Sequence, residues 1–180
     1  GGPKELTLAY GSSVVQQTNV VISSLRDRQE AADLVETARR ATVHMVGLVR
    51  PDLLMPAYGD LETRGDAIVR DAAEIYGLDW ARHVLTGGEE GPEPPFTSWP
   101  KDDEPLWTGF FAMRSDWTPD ALFLLVDGGI GGASHVHADK LSIEVRAFGG
   151  DFIIDPGTAT YHDTEDSVRY NLRHGFLHNT

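Results

Sequence analysis

Ser134-His135-Val136-His137-Ala138-Asp139-Lys140-Leu141-Ser142-Ile143-Glu144-Val145-Arg146-Ala147 is the stretch on which the reading of this chain turns. Coordination-capable side chains at His135, His137 and Asp139 alternate with small or apolar ones, directly after the glycine-rich run Gly128-Gly129-Ile130-Gly131-Gly132. From Leu141 to Ala147 apolar and polar residues alternate with a period of two, the pattern of a half-buried strand. An extension that starts a few residues earlier places His135, His137 and Asp139 on one face. Asp155-Pro156-Gly157 follows one hairpin later, and His178-Asn179 lies close to the last residue. These pieces read as parts of one site.

Around this stretch the sequence is β-like. Gly109 to Arg114, Ala121 to Asp127, Leu141 to Phe148 and Phe152 to Ile154 are expected strands, with Gly149-Gly150-Asp151 as a turn. Further upstream it is helical. Leu6, Tyr10, Val14, Val21 and Leu25 fall near one face of a helix over 4–25. Ala31, Leu34, Val35, Ala38, Ala41, Met45, Leu48 and Val49 predict a longer one from Asp27 to Val49. Asp27 with Glu30 offers a capping box at its start, and Arg50-Pro51 ends it. A helix over Asp66 to Tyr76, closed by Gly77, and a short one over Asp79 to Leu85 complete an all-helical first part. The glycine- and proline-rich run from Gly87 to Pro95 is neither helix nor strand. The organisation predicted is a helical part over 1–86, a linker over 87–106 and an antiparallel β part over 107–180, in two segregated layers or domains.

Composition narrows the functions available. The chain has 180 residues, 41% of them hydrophobic, which suffices for a real core. No apolar run approaches the roughly 18 residues of a membrane span. The absence of cysteine excludes disulfides and thiolate metal sites. Gly1-Gly2-Pro3 reads as mid-protein sequence, not as a secretory signal. A formal charge of −13 does not suit nucleic acid. It also makes a polyanionic sugar an awkward partner unless a cationic patch is present. Lys140, Arg146, Arg169 and Arg173 supply one, or are solvated surface charges.

His137, Asp155 and His178 are two imidazoles and a carboxylate from three separate segments, a donor set that zinc accepts and that a non-haem iron site also uses. The ordinary alternatives stay open on spacing alone. Paired histidines often hydrogen-bond within a core, an Asp before Pro-Gly often closes a turn, and a late histidine is often surface. Asp139 is a candidate to fix an imidazole tautomer, or simply to start the strand. His44 reads as structural or exposed. Tyr10 lies on a helix face, usually a core or rim position, in the string Glu5-Leu6-Thr7-Leu8-Ala9-Tyr10.

Three strings, taken in order, resemble the heparinase II/III-like polysaccharide lyases, a group that includes heparinases and alginate and oligo-alginate lyases. They are Ser134 to Ser142, Gly149-Gly150-Asp151-Phe152-Ile153-Ile154-Asp155-Pro156-Gly157, and Tyr161, Arg169-Tyr170 and His178-Asn179-Thr180. Met113-Arg114-Ser115-Asp116-Trp117 resembles the strand entering the family's β domain, and Arg50-Pro51-Asp52 with Gly59-Asp60 a loop of its helical toroid. Glu5 to Tyr10 resembles the helix bearing the family's catalytic tyrosine. The resemblance implies an α+β multidomain fold: the C-terminal part of an incomplete α/α toroid, then the start of an antiparallel β-sandwich, with the active site between them. It implies β-elimination at a uronic acid in an acidic polysaccharide. Tyr10 would be general acid, and base for one C5 configuration. His135 would be the second proton-transfer or positioning residue. Arg169 and Asn179 would bind substrate. His137, Asp155 and His178 would hold a mainly structural zinc ion.

The resemblance places this chain in the middle of the family fold. The residue that neutralises the substrate carboxylate would then lie upstream, and the isolated chain is expected to show little or no activity and poor independent stability. The same resemblance favours a bacterial periplasmic or secreted location, with a cytoplasmic one as the alternative. Two other classes fit the residues: a cupin-like metal oxygenase using His135, His137 and Asp155, and a non-catalytic zinc-stabilised domain that binds carbohydrate.

Overall fold

The computed structural model describes residues 8–59, 64–100, 109–129, 137–157, 168–174 and 178, with the side chains of 8–10 and 169 outside that description. Helix α1 spans Leu8–Ser23 and α2 Ala32–Leu48, after a 3-10 turn at Gln29–Ala31. Helices α3 (Asp66–Glu74) and α4 (Trp80–Leu85) follow. The apolar stripe of α2 buries Val43, Val46 and Leu48, while α3 contributes Ile68, Val69 and Ala72. One buried amide pins three elements. Asn19 donates to Asp71 (2.9 Å) and accepts from Thr42 (3.1 Å) and Tyr76 (2.7 Å). Gly77 closes α3 as expected: it takes a positive φ of 64°, and Leu78 N reaches back to Ala72 O at 3.0 Å.

The capping box at Asp27 and Glu30 does not form. The extended residue ahead of the 3-10 turn is Arg28 (φ −94°, ψ 121°), and neither it nor the Ala31 cap of α2 makes a side-chain capping bond. Asp27 stands one position too early for its carboxylate to reach the free amides.

Five strands form one antiparallel meander in the order β1-β2-β3-β4-β5: Ser98–Trp99, Phe110–Arg114, Phe123–Asp127, Ile143–Ala147 and Gly150–Ile153. Helix α5 (Val168–Arg173) follows. The strand at Ser98–Trp99 lies inside the stretch read as a linker, and it pairs with Met113 and Ala112. Trp99 is 1% exposed and joins the helices to the sheet in a single core with Val46, Leu48, Phe110, Phe123 and Leu125. Its indole donates to His44 Nδ1 at 2.8 Å, so His44 is structural and buried. A methyl group on Gly47 would sit 2.6 Å from the Trp99 ring. The Arg114 guanidinium reaches from β2 to the C-terminal end of α2, donating to Gly47 O at 2.8 Å and stacking 3.8 Å from the Trp117 ring. Burial pushes its pKa down to about 9, and the carbonyl end of a helix is a favourable place for a cation.

Strand β4 begins at Ile143, well after His137. Residues 139–142 form a turn instead, with Ser142 N on Asp139 O (2.9 Å) and Leu141 in the left-handed region at φ 69°. The turn is held to the end of β3 by Lys140 Nζ on Asp127 Oδ2 (2.5 Å) and Leu141 N on Asp127 O (2.7 Å). His137 and Asp139 therefore do not share a strand face. The period-two pattern is real, but its polar half points inward. Ser142 (0% exposed) and Glu144 (3%) face the helical half. Phe111, Met113, Leu124, Val126, Ile143, Val145 and Ile153 register together on the opposite face, where Met113 is 47% exposed.

Candidate metal centre and active-site region

His137, Asp155 and His178 converge. One ligand atom from each lies within 4.8 Å of the other two, and all three residues are buried. Asp155 follows β5 in the Asp-Pro-Gly turn, where its Oδ1 accepts from Gly157 N at 3.2 Å. Its Oδ2 accepts from Ser142 Oγ (2.9 Å) and His178 Nδ1 (2.7 Å). The segment that carries His137 is tied to α5 by Ala138 N on Arg173 O at 2.8 Å, and the His137 and His178 rings lie 5.4 Å apart. Burial alone would lower the His178 pKa; the Asp155 carboxylate outweighs it and raises it.

The donor set fits a zinc ion. It offers two nitrogens and a carboxylate in a water-poor site, and His178 Nε2 is buried with no hydrogen-bond partner among the described residues.

Asp139 stands beside the triad, 2% exposed, with Oδ1 lacking a hydrogen-bond partner among the described residues and Lys140 Nζ 3.9 Å away. Burial, then the charge of Asp127, pushes its carboxyl up to about 6. Of the other predicted site residues, Tyr10 is in the first turn of α1 and Arg169 in α5, both with side chains outside the described part, while His135 and Asn179 lie outside the described residues altogether. The structure brings His137, Asp155 and His178 together and leaves the proton-transfer and substrate-binding assignments untouched.

Four supporting residues were not singled out as site residues. Tyr58, 1% exposed, donates its hydroxyl to Ser142 O at 3.0 Å, next to Asp155. Glu144 accepts from Ala57 N (2.9 Å) and from Arg50 Nη1 (3.4 Å). Arg50 also meets Asp52 and Asp151, each at 2.8 Å, and Arg146 joins Asp151 at 2.8 Å. Burial pushes the Glu144 carboxyl up to about 7 in spite of Arg50. The string Arg50-Pro51-Asp52 was the available signal, but nothing in it shows a partner 94 residues away.

Residues 106–180, which carry all three converging side chains, match the model of the family described as heparinase II/III-like, C-terminal. The match covers under half of the chain. Solved structures agree in fold over the whole length, heparinase-like segment and helical half together. A heparinase III gene product superposes with a TM-score of 0.83 at 21% identity, covering 100% of this chain and 29% of its own. The heparan sulfate lyase HepC from Pedobacter heparinus gives 0.78 at 22% identity, covering 94% and 28%, and a further heparinase III gives 0.77 at 19%, covering 98% and 31%. The chain thus spans under a third of the length of these heparinase chains. No curated protein sequence matches it.

Proposed function

We propose that this chain is part of a polysaccharide lyase that cleaves uronic-acid-containing glycans by β-elimination. The observation that carries the reading is the convergence of His137, Asp155 and His178, inside a heparinase-like segment, at the boundary between a helical half and a sheet. In the reaction a base removes the C5 proton beside the uronate carboxylate, the C4–O bond breaks with protonation of the leaving oxygen, and a C4–C5 double bond remains. The carbon acid is weak, so base and acid must be held within hydrogen-bond reach of the sugar. Tyr10 is assigned as general acid, and as base for one C5 configuration. His135 is the second proton-transfer residue, and Arg169 and Asn179 hold the substrate. A tyrosine acting as base needs cationic neighbours to lower its pKa.

His137, Asp155 and His178 would hold zinc, which supplies a fixed positive charge and a rigid anchor for the segment bearing His135. Ser142 positions the Asp155 carboxylate through its hydroxyl. The substrate class is an acidic polysaccharide, and a periplasmic or secreted setting suits it.

The test uses the full-length protein and a panel of uronate polymers, following the ultraviolet absorbance of the unsaturated product. Elimination is expected, and Tyr10→Phe and His135→Ala should each lower the rate by at least about a hundredfold. Undiminished elimination by Tyr10→Phe removes Tyr10 from the mechanism. Sugar binding without any turnover by the intact protein sinks the lyase reading in favour of a carbohydrate-binding domain.

A further inference from the structure

The supports of the Asp155 carboxylate do not stop in the sheet. They run into one short stretch of the helical half, residues 55–58. Tyr58 bonds the carbonyl of Ser142, whose hydroxyl bonds Asp155 Oδ2. Ala57 N–H bonds Glu144 Oε1, two residues further along and inside β4. Ala57 also lies against the far side of the Asp155 turn. A methyl group on Gly157 would come within 3.1 Å of Ala57 O and 3.3 Å of its Cβ, and Gly157 already holds a positive φ of 57°. Arg50, 7% exposed, closes the arrangement by joining Glu144 to Asp52 and Asp151. Within residues 55–58, Ala57 and Tyr58 are thus wedged between residues 142–144 and the Asp155 turn, touching both.

We propose that zinc binding by His137, Asp155 and His178 and the seating of residues 55–58 against β4 are one linked equilibrium, with Glu144 and Tyr58 as its positioning residues. The inference rests on the metal reading given above, not on the identity of the reaction. The physical reason is geometric. An ion that draws Asp155 and His178 into a fixed arrangement fixes Ser142 and the Gly157 turn, and these are the two surfaces that residues 57 and 58 contact. Coupling of this kind is reciprocal: whatever the ion does for the wedge, the wedge does for the ion by the same factor. The outer partners of metal ligands usually contribute tenfold or more to affinity.

Two measurements on the full-length protein decide it. In the first, zinc affinity is read by competition with a chromogenic chelator. Glu144→Ala and Tyr58→Phe should each weaken binding by about tenfold or more, while Glu144→Gln, which keeps an oxygen for Ala57 N–H, should retain most of it. In the second, hydrogen–deuterium exchange of the unmodified protein is compared before and after zinc removal. Exchange at residues 55–58 should accelerate on removal, with α3 (Asp66–Glu74) unchanged as internal control. This second arm stands even if a variant fails to fold. Unchanged zinc affinity in both variants, or equal exchange at 55–58 with and without zinc, overturns the linkage. Failure of the intact protein to bind zinc overturns the linkage and the metal reading together. Linkage found in a protein that eliminates no uronate leaves this proposal intact and removes only the lyase reading.

Discussion

Glu144 is the residue whose chemistry is most exposed to experiment. Its carboxyl is held up to about 7, first by burial, with the charges of Asp155 and Asp151 adding to the rise while Arg50 and the Ala57 amide oppose it. In the unfolded chain it titrates near 4.5. The folded form therefore keeps a proton that the unfolded form gives up. This group's contribution to stability is fully present below about 4.5 and is lost as pH climbs to about 7. Measured as the difference between native protein and Glu144→Gln, unfolding free energy should shift by up to about 3 kcal/mol across that window; a flat difference would show that the carboxyl is not held up. Asp155→Asn tests the centre itself. The variant should lose bound zinc, and its thermal midpoint should stop responding to a chelator, where the native protein should lose about 3 kcal/mol of stabilisation when zinc had been a hundredfold above its dissociation constant.

At the scale of elements, what the sequence made legible follows local rules. The body of α2 came from helical periodicity, though its start was expected at Asp27 and falls at Ala32; Gly77 came from its cap chemistry and β4 from its alternation. That His137, Asp155 and His178 come together was legible from coordination-capable residue types in order. What stayed hidden was set by partners distant in the chain. The two-residue strand at Trp99 has no periodicity to read, and exists because Ala112 and Met113 pair with it and Gly47 leaves room for the indole. The turn at 139–142 overrides an unbroken alternating pattern, because Asp127 captures both Lys140 and the Leu141 amide. Alternation alone did not show which face of β4 is buried, since the partners that satisfy Glu144, Arg50 and Ala57, come from far upstream. The α2–Trp99 contact yields its own prediction. Gly47→Ala drives a methyl group into a buried ring, so chemical denaturation should show a loss of about 1–3 kcal/mol, with Trp99 fluorescence altered in the folded state.

For the molecule as a whole, the two faces of the sheet carry opposite obligations. The helix-facing side holds the shared core and the buried ionic groups, and the other presents Phe111, Met113, Leu124, Val126, Ile143, Val145 and Ile153. As a separate 180-residue polypeptide it should self-associate through that apolar face. Met113→Lys, at a position already 47% exposed, should reduce the sedimenting oligomer without lowering the unfolding midpoint. A monomeric native chain at tens of micromolar would contradict this. The row of inward polar groups on β4 also acts as a key for strand alignment. If β4 slid by a single residue along β3, Glu144 would leave Arg50, Ser142 would leave Asp155, and two aliphatic side chains would arrive among charged partners. Misaligned pairing is thus penalised at the corner where His137, Asp155 and His178 meet, so the grouping proposed to hold an ion also proofreads the assembly of the sheet.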